Sequence, residues 1–218
     1  MTPDWGFACL VEAYQRKILF DTGAKGDILM ANMEKLKIAP SMIDAVFISH
    51  AHWDHTGGLE TFLRGNPVSV YIPASYSAPS YAGEVIKVKS AFKIDTNIYS
   101  TGELSGSEQA LVIKQEQSVT VITGCAHPGV PKILKAGSRI GRVKTLLGGL
   151  HGFNEFDLID NLENICPAHC TKYIDRIRTR YPDKYIEAGA GKVIDLALYK
   201  TKIEISLLFK MYPENYYA

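Results

Sequence analysis

The sequence predicts an α+β protein built on mixed β-sheets with helices outside them. Three observations carry that prediction. Strand and helix patterns alternate along the chain, yet residues 84–88, 91–101, 109–114 and 118–123 read as successive strands with no helix between them, which calls for antiparallel neighbours. Residues 45–48 are a short continuous apolar run, the pattern of a strand buried on both faces of a layered sheet, and 68–72 read as another buried strand. A length of 218 residues, 46% hydrophobic and 22% charged, suffices for one globular domain with its own core. The expectation is therefore a single domain over residues 1–218, in which residues from about 197 onward form an extension of open role.

Taken in order, residues 7–14 and 17–20 read as two strands joined by a turn at Gln15 and Arg16, and Asp21, Thr22 and Gly23 end the second of them. Ile28, Met33 and Leu36 have helical spacing, with Asp27 as N-cap. Pro40 and Ser41 punctuate before the strand at 45–48. A short helix is expected over 56–63 and a strand over 68–72. Residues 73–83 form a loop of Ser, Tyr, Ala and Pro, read either as a connector or as a lid. The antiparallel run follows, with Val119, Val121 and Ile122 marking its clearest strand. A helix extends from Gly129 through Lys135 with proline in its first turn. Beyond it come a strand at 143–147, a helix over 153–164, a very short strand at 165–166, an amphipathic helix over 171–180, and strands at 185–188 and 192–196. The tail, with Ile203, Ile205, Leu207, Leu208, Phe209 and three late tyrosines, is read as a strand or helix closing the core, or as a contact in a homo-oligomer.

Charge and composition exclude several functions. With 24 basic and 23 acidic residues the net charge is +1, so no electrostatic footprint favours nucleic acid or a membrane surface. The first 17 residues lack the basic start and apolar block of a secretory signal, and no stretch approaches the ~18 continuous apolar residues of a membrane span. Four cysteines are too few for a disulfide scaffold in a chain of this length. These features lead to the expectation of a cytoplasmic protein with a small-molecule substrate.

The chemistry concentrates at residues 48–59. His50, His52, Asp54 and His55 fall within six residues, directly after an apolar strand and before two glycines and a leucine. Residues two apart face the same side while the chain stays extended, so His50 and His52 point together; Asp54 and His55 fall where the backbone turns into a helix and can serve a second position. The other three of the six histidines, His127, His151 and His169, each follow an apolar strand and have a glycine or proline within two residues. Imidazole and carboxylate ligands suit zinc, with iron or manganese as alternatives, so one or two divalent ions are the expected cofactor.

The form of residues 50–55, preceded by Asp21, Thr22 and Gly23 and followed by isolated histidines, resembles the metallo-β-lactamase superfamily over about residues 6–196. That resemblance implies a four-layered αβ/βα sandwich with two mixed sheets and outer helices. It also implies two metal positions, one held by His50, His52 and His127, the other by Asp54, His55 and His169. Asp21 becomes a buried residue that orients the ligand loop by hydrogen bonds. Gly124 to Gly129, Gly148 to His151 and Pro167 to Thr171 also resemble a branch that includes a dihydropterin-forming synthase of methanopterin biosynthesis. Two departures from the branch are a shorter stretch between His55 and His127 and Lys172 in place of a frequent glycine.

The superfamily's fourth motif usually supplies an aspartate that bridges two metals, and here His151 takes its place. A neutral imidazole has one lone pair to offer and cannot bridge, so His151 is read either as a terminal ligand or as an acid–base group. Asp157 and Asp160 read as a solvated helix face, Cys125 and Cys166 as small buried residues, and Cys170 as the thiol nearest the site. Thr171 is read as a helix N-cap whose hydroxyl, with Lys172, is available to an anionic substrate group. Lys25 is a further candidate anion contact.

The function expected from these residues is a metal-dependent hydrolase using metal-bound hydroxide on a small anionic substrate, with Asp54 and His151 as catalytic groups. The alternatives are a synthase joining a phosphorylated dihydropterin to ribosyl-aminobenzene phosphate, and a metal-binding redox or sensor domain without hydrolytic turnover.

Overall fold

The computed structural model describes residues 1–77, 79–196 and 203–209. The chain divides into two compact units, Met1–Tyr71 with Ser77–Ile86 and Ala188–Ala218, and Ile72–Tyr76 with Lys87–Glu187. Together they carry two mixed sheets and a few helices, the α+β class that the sequence predicts. Among the described residues no helix is long and apolar enough to cross a membrane.

The first unit holds a seven-stranded sheet. Its opening hairpin is β1 (Cys9–Ala13) and β2 (Arg16–Phe20). Tyr14 and Gln15 both have positive φ, 52° and 63°, the backbone of a two-residue hairpin turn whose twist matches its strands, so the turn lies one residue earlier than its polar side chains suggest. α1 (Gly26–Lys35) begins one residue before Asp27, which therefore sits in the first turn rather than at the cap. β3 (Ala45–Phe47) leads through the ligand stretch into α2 (Trp53–Thr56) and α3 (Leu59–Gly65), and β4 (Ser69–Pro73) and β5 (Glu84–Val88) follow. Residue 78, inside the expected loop or lid, lies outside the described residues.

The strand order is β12-β13-β1-β2-β3-β4-β5, where β12 is Val193–Asp195 and β13 is Ile203–Leu207. β13 lies in the described part of the tail: it pairs antiparallel with β1, Cys9 opposite Leu207 and Ala13 opposite Ile203, so the tail enters this sheet between β12 and β1. The three late tyrosines lie outside the described residues. β2, β3 and β4 run parallel, which brings the residues after β2 and after β3 to the same edge. Phe20 stacks on Phe47 at 5.4 Å and meets Phe7 edge-on at 5.8 Å, joining β2, β3 and the segment before β1 through one aromatic cluster.

The second unit holds a six-stranded sheet in the order β11-β10-β9-β8-β7-β6. Residues 91–101 form a hairpin rather than one strand, β6 (Phe92–Asp95) and β7 (Ile98–Ser100), because Asn97 turns at φ 61°. β8 (Leu111–Gln115) and β9 (Ser118–Thr123) continue the antiparallel run. α4 (Val130–Ser138) then crosses over to β10 (Arg142–Gly149), packing on β9 and β10, and β11 (Asn164–Ala168) lies beyond. β9, β10 and β11 are parallel, so their C-terminal ends, and the histidines that follow them, share one edge.

Two expected helices are shorter than their patterns suggest. Residues 153–164 contain a single 3₁₀ turn, Phe156–Ile159. Phe153, Phe156, Ile159 and Leu162 are all buried, and their strict three-residue spacing suits a three-per-turn path instead of the 3.6 of an α-helix. The last helix, α5 (Ile174–Arg180), starts three residues after Thr171, and Tyr173 occupies its N-cap position. Around 185–188 only Tyr185 takes part in pairing, through a bridge to Ile165.

Candidate metal centre

In the first unit the ligand stretch is organised from below by Asp21. This residue follows β2 at φ 53° and is fully buried. Its Oδ1 accepts the Ser49 amide at 2.7 Å, and its Oδ2 accepts the Ser49 hydroxyl at 2.7 Å and lies 2.6 Å from His55 Nδ1. A serine hydroxyl has one proton, and here it points to Asp21. The 2.9 Å contact between Ser49 Oγ and His50 Nδ1 is therefore donated by the imidazole. Both rings thus carry their proton on Nδ1 and leave Nε2 unprotonated, the form in which an imidazole can bind a metal. Burial, the largest influence, raises the Asp21 pKa; the His55 ring and the Ser49 donors pull it back down.

His50 Nε2 and His52 Nδ1 face one another at 3.1 Å. Two nitrogens at ~2.0–2.1 Å from a tetrahedral ion are separated by about 3.3 Å, so this pair already has the spacing of two ligands on one cation. Asp54 is 8% exposed; its Oδ2 accepts the Trp5 indole N–H at 2.9 Å and stands 3.9 Å from His55 Nε2. The turn is pinned further where Phe7 N donates to Asp54 O at 3.1 Å and Thr22 donates to His55 O through both N, at 2.8 Å, and Oγ1, at 2.9 Å. Trp53, between His52 and Asp54, is 64% exposed. Lys25 forms an exposed ion pair with Asp4 at 3.6 Å.

In the second unit three strand ends present the remaining histidines. His127 follows Ala126, whose φ is 57°, and its ring meets that of His151 at 5.1 Å. His151, at φ 50°, is exposed, and its carbonyl accepts the Lys172 amide at 2.8 Å. His169, at φ 47°, is 8% exposed, and a ring nitrogen of it lies within 4.8 Å of both Cys125 Sγ and Cys170 Sγ. His151 belongs to no such ligand trio among the described residues of this unit. Cys166 is buried in β11, and no described cysteine forms a disulfide.

Thr171 is 6% exposed; its hydroxyl donates to Ala168 O at 2.8 Å and accepts the Leu150 amide at 2.9 Å. That hydroxyl therefore ties the His151 turn to the end of β11. Lys172 is exposed, with its ammonium 5.5 Å from the centre of the Tyr173 ring. Asp157 pairs with Arg180, and Asp160 accepts the Tyr181 hydroxyl.

Four left-handed, non-glycine residues thus occur at the functional turns: Asp21, Ala126, His151 and His169. Such a conformation costs an L-residue roughly 1–2 kcal/mol, more than the entropy glycine adds to the unfolded chain. In metal-free protein, His169→Gly is accordingly expected to be more stable than His169→Ala by roughly 1 kcal/mol, the reverse of the usual order. Urea unfolding of the two variants measures this, and a more stable alanine variant would remove the argument from strain.

Residues 3–154 match the description Metallo-beta-lactamase superfamily. The chain belongs to that superfamily. Its similarity to two proteins of Methanocaldococcus jannaschii extends over 88% of the chain. One is a 7,8-dihydropterin-6-methyl-4-(beta-D-ribofuranosyl)-aminobenzene-5'-phosphate synthase, 22% identical and matched over 91% of its length. The other, 24% identical and matched over 93%, carries no described activity. Among solved structures, one described as a metal-dependent hydrolase of the β-lactamase superfamily superposes with a TM-score of 0.63 at 23% identity, covering 84% of this chain and 96% of its own. The metallo-β-lactamase fold protein YhfI from Bacillus subtilis gives 0.62 at 12% identity, covering 86% and 90%. The two mixed sheets are those of the metallo-β-lactamase fold.

Three participants escaped the sequence reading. Ser49 relays Asp21 to His50, Trp5 holds Asp54, and Glu108 lies under the His127 turn. Only Ser49, adjacent to the ligand cluster, left a local signal.

Proposed function

We propose that this protein is a metal-dependent hydrolase acting on a small anionic substrate. The observation that carries the reading is the relay from His50 through Ser49 to Asp21 and back to His55. It holds two imidazoles in the ligating tautomer, a device that solvated histidines have no use for. Following the superfamily's pattern, His50, His52 and His127 would hold one divalent ion and Asp54, His55 and His169 the other, zinc first and iron or manganese next. When bound, such ions bring the pKa of a coordinated water toward neutrality and polarise the substrate oxygen. Asp54, fixed by Trp5, orients the attacking water. His151, exposed beside His127, donates a proton to the leaving group. Lys172 meets the substrate's anionic group, while Thr171 shapes the turn that carries His151.

Element-resolved analysis of protein purified without added metal should find at least one transition-metal ion per chain. His52→Ala and Asp54→Ala should each abolish turnover of chromogenic phosphodiester and ester substrates while the fold is kept. A metal-free protein, or unchanged turnover in both variants, defeats the reading.

A second reading has its own support in the similarity to the Methanocaldococcus jannaschii synthase over 88% of the chain. In it the same residues position a phosphorylated dihydropterin against ribosyl-aminobenzene phosphate. Incubation with both compounds should then yield the condensation product, and absence of binding to either rules it out.

A further inference from the structure

One buried carboxylate stands outside the ligand set. Glu108, 1% exposed, lies between β7 and β8 and reaches under the loop that follows β9. Its Oε1 accepts the Thr123 hydroxyl at 2.7 Å and the amides of Gly124, Cys125 and Ala126 at 2.8, 3.1 and 3.2 Å. Its Oε2 accepts the His127 amide at 2.9 Å. Four consecutive backbone N–H groups turned toward one point form a nest for an anion, and here the chain supplies the anion itself. The nest needs the left-handed turn at Ala126, which is unfavourable for a residue with a side chain. The carboxylate offsets that with charge-assisted bonds, about twice as strong as neutral ones.

The mount of Glu108 is equally fixed. Its carbonyl accepts the Leu104 amide at 2.8 Å, and the neighbouring Gln109 accepts the Ser100 hydroxyl at 2.7 Å. The direction in which His127 leaves the backbone is therefore set by a side chain anchored in a different loop.

We propose that Glu108 is a positioning residue for His127, ordering the loop before any ion arrives; this rests on the assignment of His127 as a metal ligand. A loop already ordered loses little freedom when its imidazole is engaged, so affinity is retained. Glutamine at this position keeps one acceptor oxygen but sets an NH₂ group against backbone N–H on the other side. Thr123→Val removes one donor and leaves the shape of the side chain.

The test compares wild type, Glu108→Gln and Thr123→Val. Amide hydrogen exchange at residues 124–127 is followed in metal-free protein, and zinc affinity and stoichiometry are measured by chelator competition on protein shown by circular dichroism to be folded. Glu108→Gln is expected to exchange faster at 124–127 and to bind one of its ions about 10–100-fold more weakly, the other being retained. Thr123→Val moves both readouts less and in the same direction. A folded Glu108→Gln with wild-type exchange, or with wild-type affinity for every ion, overturns the proposal. Should Glu108→Gln fail to fold, Thr123→Val decides, and no change in either readout overturns it. A wild-type protein that binds no ion defeats the metal-centre reading instead, recognisable because the exchange contrast persists without metal.

Discussion

Asp21→Ala is expected to destabilise the metal-free protein by on the order of 3–5 kcal/mol, because three buried donors lose their acceptor at once. The cause is the set of donors left behind. The Ser49 amide and hydroxyl and the His55 ring all direct a proton at Asp21, and Asp21, Ser49 and His55 are each fully buried. Each buried donor without an acceptor costs about 1–3 kcal/mol. Asp21→Asn separates folding from ligand preparation. Asparagine tolerates the left-handed φ and still accepts the Ser49 amide, so the fold survives. Its NH₂ group, however, faces His55 Nδ1 and favours the opposite tautomer, which puts a proton on Nε2 where a metal would bind. Denaturant unfolding should show the large loss for alanine and a much smaller one for asparagine, with metal affinity falling about 10–100-fold in the latter. An alanine variant within about 1 kcal/mol of wild type would show that the buried donors find other partners.

The second large effect is expected at Gly148. A Cβ there would stand 1.9 Å from the Thr123 carbonyl oxygen, and the residue's φ is 123°. Both obstacles are backbone, so neither yields to a rotamer change. Strain at such a φ costs about 1–3 kcal/mol and overpacking a similar amount, giving roughly 2–6 kcal/mol for Gly148→Ala. Gly152, four residues on, has nothing within 4 Å of its would-be Cβ and serves as the control, expected to change stability by less than about 0.5 kcal/mol. Thermal and denaturant melts of the two variants give the comparison; equal melts would mean that β9 and β10 separate easily at Thr123. Because β9 and β10 carry His127 and His151 at their ends, separation there would also disturb the 5.1 Å approach of those rings.

What the sequence disclosed follows from how local each signal is. The strand ends bearing the histidines were legible because each strand pattern is followed within a few residues by an imidazole. The mixed sheet was legible because four strand patterns in a row leave no room for crossover helices. Residues 153–164 misled because aromatic and aliphatic residues three apart fit a helix nearly as well as a 3₁₀ turn. Thr171 misled because a threonine before an amphipathic run resembles a cap, while its hydroxyl is committed to Ala168 and Leu150. Glu108 left no signal at all. Four of its five partners are peptide N–H groups 16 to 19 residues away, and backbone donors have no side-chain signature. Trp5 escaped for a related reason, since its partner Asp54 is 49 residues distant.

The pairing of β1 with β13 sets a schedule for synthesis. Ala13 waits for Ile203 before its outer edge is covered, a separation of 190 residues (203 − 13), which at ~5–20 residues per second takes the ribosome roughly 10–40 s. Until then an apolar strand, Cys9–Ala13, presents an open edge to other nascent chains. The second unit is almost continuous in sequence, and β6 through β9 pair with their immediate neighbours, so it can form during that interval. The unit that carries His50, His52, Asp54 and His55 is made first and finished last, and chaperone demand during expression should concentrate on that first strand.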